Sequence, residues 1–260
     1  MKIRETLPII RITGDKKENL SDTIITETPI TIFLNDQEIA TIICTPENIL
    51  YLTAGYLFSE RFIRTKEDII RTEYNEKNGI VRVEIKKQID PLKDLRHTRF
   101  ITPGCMSPGS FYNAADAVLC KKVESNMHIT TNEIITVIRQ AQLSSRLFRE
   151  TGGVHSAALC SGSKIVFFIE DIGRHNALDK IIGRCLLEGM PIDDKMIITS
   201  GRISSEVLLK IIKAEVPILI SRSAPTTKAV SLSKVFGVTL VGFARGKKFN
   251  IYSNEWRVTC

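Results

Sequence analysis

Long apolar runs are missing from this 260-residue chain, and none reaches the roughly 18 residues that a membrane-spanning helix needs. The first residues, Met1-Lys2-Ile3-Arg4-Glu5-Thr6, lack the apolar core of a signal peptide. Cysteine is sparse and scattered: Cys44, Cys105, Cys120, Cys160, Cys185 and Cys260 form neither a disulfide framework nor a paired zinc-ligand array. A soluble protein of a reducing cytoplasm, without a metal site, is expected. Aromatics make up only 7 % of the chain, too few to interleave with the bases as a stacking platform for single strands would require. The formal charge is +7, yet the lysines and arginines are not run together in a tract. The charge therefore favours a phosphorylated small molecule over nucleic acid as the acidic partner.

What the chain does have is a charged stretch, Glu170-Asp171-Ile172-Gly173-Arg174-His175-Asn176-Ala177-Leu178-Asp179-Lys180, at a strand-to-helix junction. The apolar run Lys164–Ile169 before it reads as a buried strand. Leu178, Ile181, Ile182, Cys185 and Leu186 after it recur at helical spacing, and Gly189 then Pro191 close the helix. The pattern repeats. Lys195–Thr199 ends in Ser200-Gly201-Arg202, Val216–Ile220 ends in Ser221-Arg222-Ser223 and runs on to Lys228, and Val238–Gly242 ends in Phe243-Ala244-Arg245-Gly246-Lys247-Lys248. Strands alternating with helices of this length predict a mainly parallel sheet with flanking helices. All four strand ends then fall on one edge, where small residues admit a ligand and basic ones neutralise phosphate.

Residues 1–98 read as a smaller, β-rich α+β domain. It has strands over Ile9–Thr13, Ile24–Leu34, Glu38–Cys44 and Gly79–Lys86, and a helix over Pro46–Phe62 with Leu50, Ala54 and Leu57 on one face. Arg64–Arg71 is expected to add a short helix, and Lys87–Asp94 a polar linker. Residues 99–260 form the second, α/β domain. It opens with a Pro- and Gly-rich loop over 101–110 that holds Cys105 near its tip and is expected to be mobile. Cys105 is either a reactive thiol or an incidental residue, and its neighbours alone do not decide. A short helix is expected over 111–122. Thr130-Thr131-Asn132-Glu133 reads as a capping box opening a helix to about Arg149, with Ile134, Ile138 and Ala141 inward. Thr151-Gly152-Gly153-Val154-His155 reads as a glycine turn into a strand. His155 there either orients a ligand or is structural.

These motifs together resemble the formate dehydrogenase accessory protein family, FdhD/NarQ. The resemblance rests on Thr151-Gly152-Gly153-x-His155-Ser156-Ala157, the 170–180 stretch, Ser200-Gly201-Arg202, Ser221-x-Ser223-Ala224-Pro225-Thr226 and Gly242-Phe243-Ala244-Arg245-Gly246. It implies a cytidine-deaminase-like α/β core, a smaller N-terminal domain and a homodimer. The activity it implies is that of a sulfurtransferase. Such a protein takes persulfide sulfur from a cysteine desulfurase and passes it to the molybdenum bis(molybdopterin guanine dinucleotide) cofactor of formate dehydrogenase, with guanine nucleotide as a mimic of the bound substrate. Deaminase chemistry is not implied, because no His here is followed two positions later by Glu and no Cys-x-x-Cys is present. Cys105 matches the family's persulfide-carrying loop cysteine. Pro108 stands where most members have a second cysteine, so a cofactor-binding chaperone without sulfur transfer is the alternative. Phe243, Ala244, Arg245, Gly246, Lys247 and Lys248 match the cofactor-binding segment, and Arg174, Asn176, Arg202 and Lys228 are further expected contacts.

Overall fold

The computed structural model describes residues 1–86, 99–101 and 120–260. Lys87–Asp94, residues 102–110 with Cys105, and most of the helix expected over 111–122 lie outside the described residues. The chain begins with a β-hairpin, β1 (Arg4–Thr13) and β2 (Lys16–Ile25), turned by Gly14 and Asp15. Next come β3 (Thr28–Leu34), β4 (Gln37–Cys44), α1 (Ile49–Ser59), β5 (Ile69–Asn75), β6 (Ile80–Ile85) and the short β7 (Arg99–Ile101). A five-stranded sheet forms from these in the order β5-β6-β3-β4-β7. Although placed beyond residue 98, β7 extends this N-terminal sheet by pairing with Ala40–Ile42 of β4. The helix expected over Arg64–Arg71 is one turn of 3-10 helix, Lys66–Asp68, followed by a strand. Ile69, Ile70 and Thr72 are β-branched, and pairing with β6 overrides the polar turn before them.

The remainder holds β8 (Ile129–Thr130), α2 (Thr131–Ser144), α3 (Arg146–Thr151), β9 (His155–Ser161), β10 (Lys164–Asp171) and α4 (Arg174–Glu188). Then follow β11 (Met196–Thr199), α5 (Ser205–Lys213), β12 (Ile218–Ser221), α6 (Thr227–Val235), β13 (Thr239–Arg245), β14 (Lys248–Ser253) and β15 (Val258–Thr259), which pairs with β8. The larger sheet runs β10-β9-β11-β12-β13-β14. It is mixed, where a mainly parallel sheet was expected. Only β11–β12 and β12–β13 pair in parallel, because the β9–β10 hairpin inserts β9 antiparallel beside β11, and β14 returns antiparallel along β13. The strands β10 to β13 nevertheless point the same way, so their four C-terminal ends share one edge.

Alternation along the strands builds two cores. Ile197, Leu219 and Leu240 face one way, against Leu178, Ile181 and Ile182 of α4 and the apolar sides of α5 and α6. Met196, Ile198, Ile218, Ile220 and Val241 face the other way, against Ile134, Val137, Ile138 and Ala141 of α2. The capping box that opens α2 is formed: Thr130 Oγ1 accepts from Glu133 N at 3.2 Å, and Glu133 Oε2 accepts from Thr130 N at 2.8 Å. That helix stops at Ser144, and α3 follows at an angle set by Ser145.

A third core lies between the N-terminal sheet and α1, with Ile30, Ile32, Ile42 and Val81 against Ile49, Leu52, Tyr56 and Leu57. The other side of α1 meets α4, so the helix is buried almost all round. This differs from the single face expected from the sequence, and Leu50, placed on that face, is 43 % exposed. Two glycines set the approach of the helices. A Cβ on Gly55 would stand 1.8 Å from Asp179 O, and one on Gly183 would stand 1.9 Å from Tyr51 O. Any side chain there would force the helices apart.

Candidate functional site

The junction after β10 is held by a buried polar hub. Lys180 and Asp171 are fully buried and paired, with Lys180 Nζ 2.5 Å from Asp171 Oδ2 and 3.0 Å from Thr45 O. Asp171 Oδ1 accepts from Gly173 N at 2.8 Å and from Asn176 Nδ2 at 2.9 Å, and its Oδ2 accepts from Thr45 N at 3.2 Å. Asn176 Nδ2 also donates to Ile43 O at 2.9 Å. Each charge is thus hydrogen-bonded several times over, the condition under which a buried ion pair is tolerated. Glu170 accepts from the backbone N–H of Leu147 and Phe148 at the start of α3, and Asp179 accepts from Ser59 and Lys210. The conspicuous stretch therefore ties β10 and α4 to β4, α1, α3 and α5.

Beside this hub the strand ends are stitched to one another. Arg222 N donates to Thr199 O at 3.1 Å, Ser221 Oγ to Gly201 O at 2.6 Å, and Phe243 N to Ser223 O at 3.1 Å. Between these ends and the Gly152-Gly153 turn lies an open cleft of about 550 Å³. Its polar wall is formed by His155, Ser156, Ser200, Arg222, Ser223 and Arg245, and its apolar wall by Phe148, Val154 and Ile172. Arg245 Nε donates to Arg222 O at 3.0 Å, which fixes the root of its guanidinium. Phe243 takes a left-handed backbone (φ +51°) at the bulge in β13 and is 43 % exposed. Strain of this kind in a non-glycine residue persists where the surroundings hold it and clusters at ligand sites.

Ser200 Oγ accepts from Ser156 N at 2.9 Å and lies 3.2 Å from His155 Nδ1. The hydroxyl and the imidazole are hydrogen-bonded whichever of the two donates. Burial, and after it the charge of Arg174, push His155 below its ordinary pKa, so the ring is neutral at neutral pH. The cleft thus offers guanidinium groups, hydroxyls and a neutral imidazole, a set suited to phosphate oxygens.

Of the expected contacts, Arg245 lines the cleft and Phe243 flanks it. Arg174 is buried at the start of α4 and lies across Gly201, where a Cβ would come within 2.8 Å of Arg174 Cβ. Arg202 is exposed just beyond and adds to the positive field at His155. Ala244 points into the core, while Gly246, Lys247 and Lys248 form the exposed turn into β14, outside the cleft wall. Lys228 is exposed on the first turn of α6 and likewise does not line the cleft. Asn176 is buried in the hub. The cleft adds Ser200, Arg222 and Ser223, which stand at the expected strand ends but were not singled out as contacts.

Cys44, Cys160 and Cys185 are buried, and desolvation pushes each thiol up to about 12, far from the thiolate a nucleophile needs. Cys120 is half-buried and accepts from Arg61 Nη2 at 3.3 Å, and Cys260 is exposed. Cys105 lies four residues past Ile101, which pairs with Ile42 next to the carbonyl that holds Asn176. Among the described residues no three His, Cys, Asp or Glu side chains come together as a metal site. No described helix is long and apolar enough to cross a membrane.

The model of the FdhD/NarQ family matches residues 25–259. The chain belongs to that family. It is 43 % identical over 244 residues to the sulfur carrier protein FdhD of Listeria innocua, covering 93 % of this chain and 94 % of that one. It is 39 % identical over 258 residues to the protein of the same name from Bacillus subtilis, covering 99 % and 98 %. A crystal structure assigned to a formate dehydrogenase accessory protein from Desulfotalea psychrophila superposes with a TM-score of 0.82 at 25 % identity, over 99 % of this chain and all of that one. The FdhD/NarQ kinship therefore extends over the hub and the whole cleft.

Proposed function

We propose that this chain is a sulfur carrier in the maturation of formate dehydrogenase. In this reading Cys105 receives sulfane sulfur from a cysteine desulfurase and passes it to the molybdenum of a bis(molybdopterin guanine dinucleotide) substrate. The sulfur role is supported by full-length kinship to proteins named sulfur carriers. One structural observation carries the rest: a cleft lined by Arg222, Arg245, Ser200 and Ser223, suited to the pyrophosphate of a guanine dinucleotide arm. The apolar wall of Phe148, Val154 and Ile172 suits a ring system. In the loading step the Cys105 thiolate attacks the terminal sulfur of the donor persulfide. A new S–S bond forms on Cys105 as the donor's breaks, the donor cysteine leaves as thiolate, and no oxidant is consumed.

Loading is tested by intact-protein mass spectrometry after incubation with a desulfurase and cysteine. A gain of one sulfur, about 32 Da, is expected in the wild type and absent in Cys105→Ala. An adduct that persists in Cys105→Ala would move the carrier role to Cys120 or Cys260, the thiols that are not buried among the described residues. Pro108, in place of a second loop cysteine, favours one other reading, a cofactor-binding chaperone. That reading stands if the wild type gains no sulfur and Cys105→Ala still matures formate dehydrogenase.

A further inference from the structure

The chain's single tryptophan stands on the surface. Trp256 is 52 % exposed in one turn of 3-10 helix, Glu255–Arg257, between β14 and β15. The residues on either side of it are pinned. Asn254 Nδ2 donates to Ser233 O at 2.9 Å and to Val238 O at 2.8 Å. Arg257 is buried, with Nη1 donating to Gly237 O at 2.7 Å and Nη2 to Ser125 O at 3.3 Å. Its guanidinium lies over the indole, 4.1 Å from the ring centroid, and His128 meets the ring edge-on at 5.7 Å. The indole is therefore held in place while much of its surface stays in water. A ring that is rigid before contact loses little entropy on contact, which suits tryptophan to anchor protein interfaces.

Beside His128 runs an open groove of about 540 Å³, lined by residues 124–128, Gly162, Asp193 and Asp194. Ser125 Oγ donates to Asp193 O at 2.8 Å and joins its two walls. Asp194 pairs with Lys195. Glu124 and Asp193 in the groove, and Glu255 next to Trp256, are exposed and make no ion pair among the described residues. Gly162 turns β9 into β10, and Asp193 and Asp194 precede β11, so the groove lies at the sheet edge opposite the cleft. The cleft edge carries Arg222, Arg245, Lys247 and Lys248. On a chain of net charge +7 the two edges thus differ in sign. An anion is turned away from the groove, and a cationic partner is drawn to it against the charge of the whole. A lysine or arginine side chain fits both parts of this surface, since its methylene stem covers an aromatic face and its charged end stays by a carboxylate. A bare divalent cation would leave the indole uncovered.

We propose that Trp256 and this groove form a docking surface for a basic segment of a partner protein. Arginine or lysine stems lie on the indole, and their charges point toward Glu124, Asp193 and Glu255. The proposal does not rest on the sulfur-carrier reading. As the only tryptophan, Trp256 reports on it directly. The full chain is titrated with a peptide of alternating arginine and alanine while tryptophan emission is followed. A saturable shift to shorter wavelength is expected as the indole leaves water, and the glutamate counterpart of the peptide should produce none. Glu124→Lys/Asp193→Lys, at unchanged melting temperature, should weaken the arginine peptide by roughly tenfold. Trp256→Ala, read by the anisotropy of the same peptide carrying fluorescein, should weaken it comparably. No shift with the arginine peptide, an equal shift with the glutamate peptide, or undiminished affinity in either variant overturns the proposal. Magnesium alone producing the shift would make the groove a cation site. Emission that moves with protein concentration alone would seat a second copy there. Either result overturns the proposal as well.

Discussion

Two neighbouring regions carry most of the motif residues of this chain, and they use polar side chains in opposite ways. In the 170–180 stretch the charges face inward. Asp171, Lys180, Asn176 and Asp179 are buried, with their hydrogen bonds directed at β4, α1 and α5. Around the cleft, by contrast, Arg222, Arg245, Ser200 and Ser223 stand at or just past strand ends and line open space. The denser motif is architecture, and the sparser one lines the cleft. Density of charge in a sequence therefore does not mark a binding site, because a junction that joins two sheets needs buried polar partners of its own.

The contrast breaks first at Lys180. Lys180→Met leaves Asp171 buried beside Thr45 and Gly173 without its counter-charge, and should destabilise the protein by about 3–5 kcal/mol. Urea unfolding measures it, and a loss below about 1 kcal/mol would mean the pair is not what joins the sheets. Next in size is the helix crossing. Gly55→Ala or Gly183→Ala places a methyl against backbone of the facing helix and should cost about 1–3 kcal/mol. The melting temperature should fall, and an unchanged one would show that α1 and α4 separate freely. Neither change touches the cleft.

Binding probes the other region. Arg245→Ala and Arg222→Ala should each weaken binding of GDP by about ten- to a hundredfold, the worth of a charge-assisted hydrogen bond, at nearly unchanged stability. Isothermal titration calorimetry reads the affinity. Lys228→Ala, outside the cleft wall, serves as the control, and an equal loss there would shift the ligand away from the cleft.

The sequence made the cleft edge legible and the joint between the sheets illegible, for physical reasons. Apolar runs ending in Ser, Gly and Arg give four co-directional strand ends by periodicity alone, and β10 to β13 carry them. Periodicity is blind to which strands become neighbours, so the antiparallel seat of β9 beside β11 was out of reach. It also fails for α1, which is buried on two sides and so shows no single apolar stripe; Leu50 falls at the gap between its two partners. Asn176 illustrates the limit within the site. As a sequence neighbour of Arg174 and His175 it reads as a ligand contact, yet one helical residue turns its amide toward Ile43 and away from the cleft. Arg222 and Ser223 carried a signal, since they end an apolar strand just as Ser200 and Arg202 do.

The smallest effect sits where the two regions meet. His155 belongs to the cleft, and the positive charge that adds to its burial comes from Arg174 at the head of the hub's helix. Its folded pKa lies below the ordinary 6.5, so as pH falls the unfolded chain takes up the proton first. The stability this neutral histidine preserves is whole above about pH 6.5, declines below it, and stops declining once the folded pKa is passed. His155→Gln keeps a hydrogen-bonding side chain beside Ser200 without a titrating proton and should flatten that part of the curve. His175, also held low by burial, remains to titrate in both proteins. Denaturant midpoints of the two proteins should therefore converge as the pH drops from 7 toward 5. Midpoints that stay a constant distance apart would mean that His155 protonates as readily folded as unfolded. In that case burial and the surrounding charges, Arg174 and Asp171 of the hub among them, leave no net preference for the neutral ring in the folded protein.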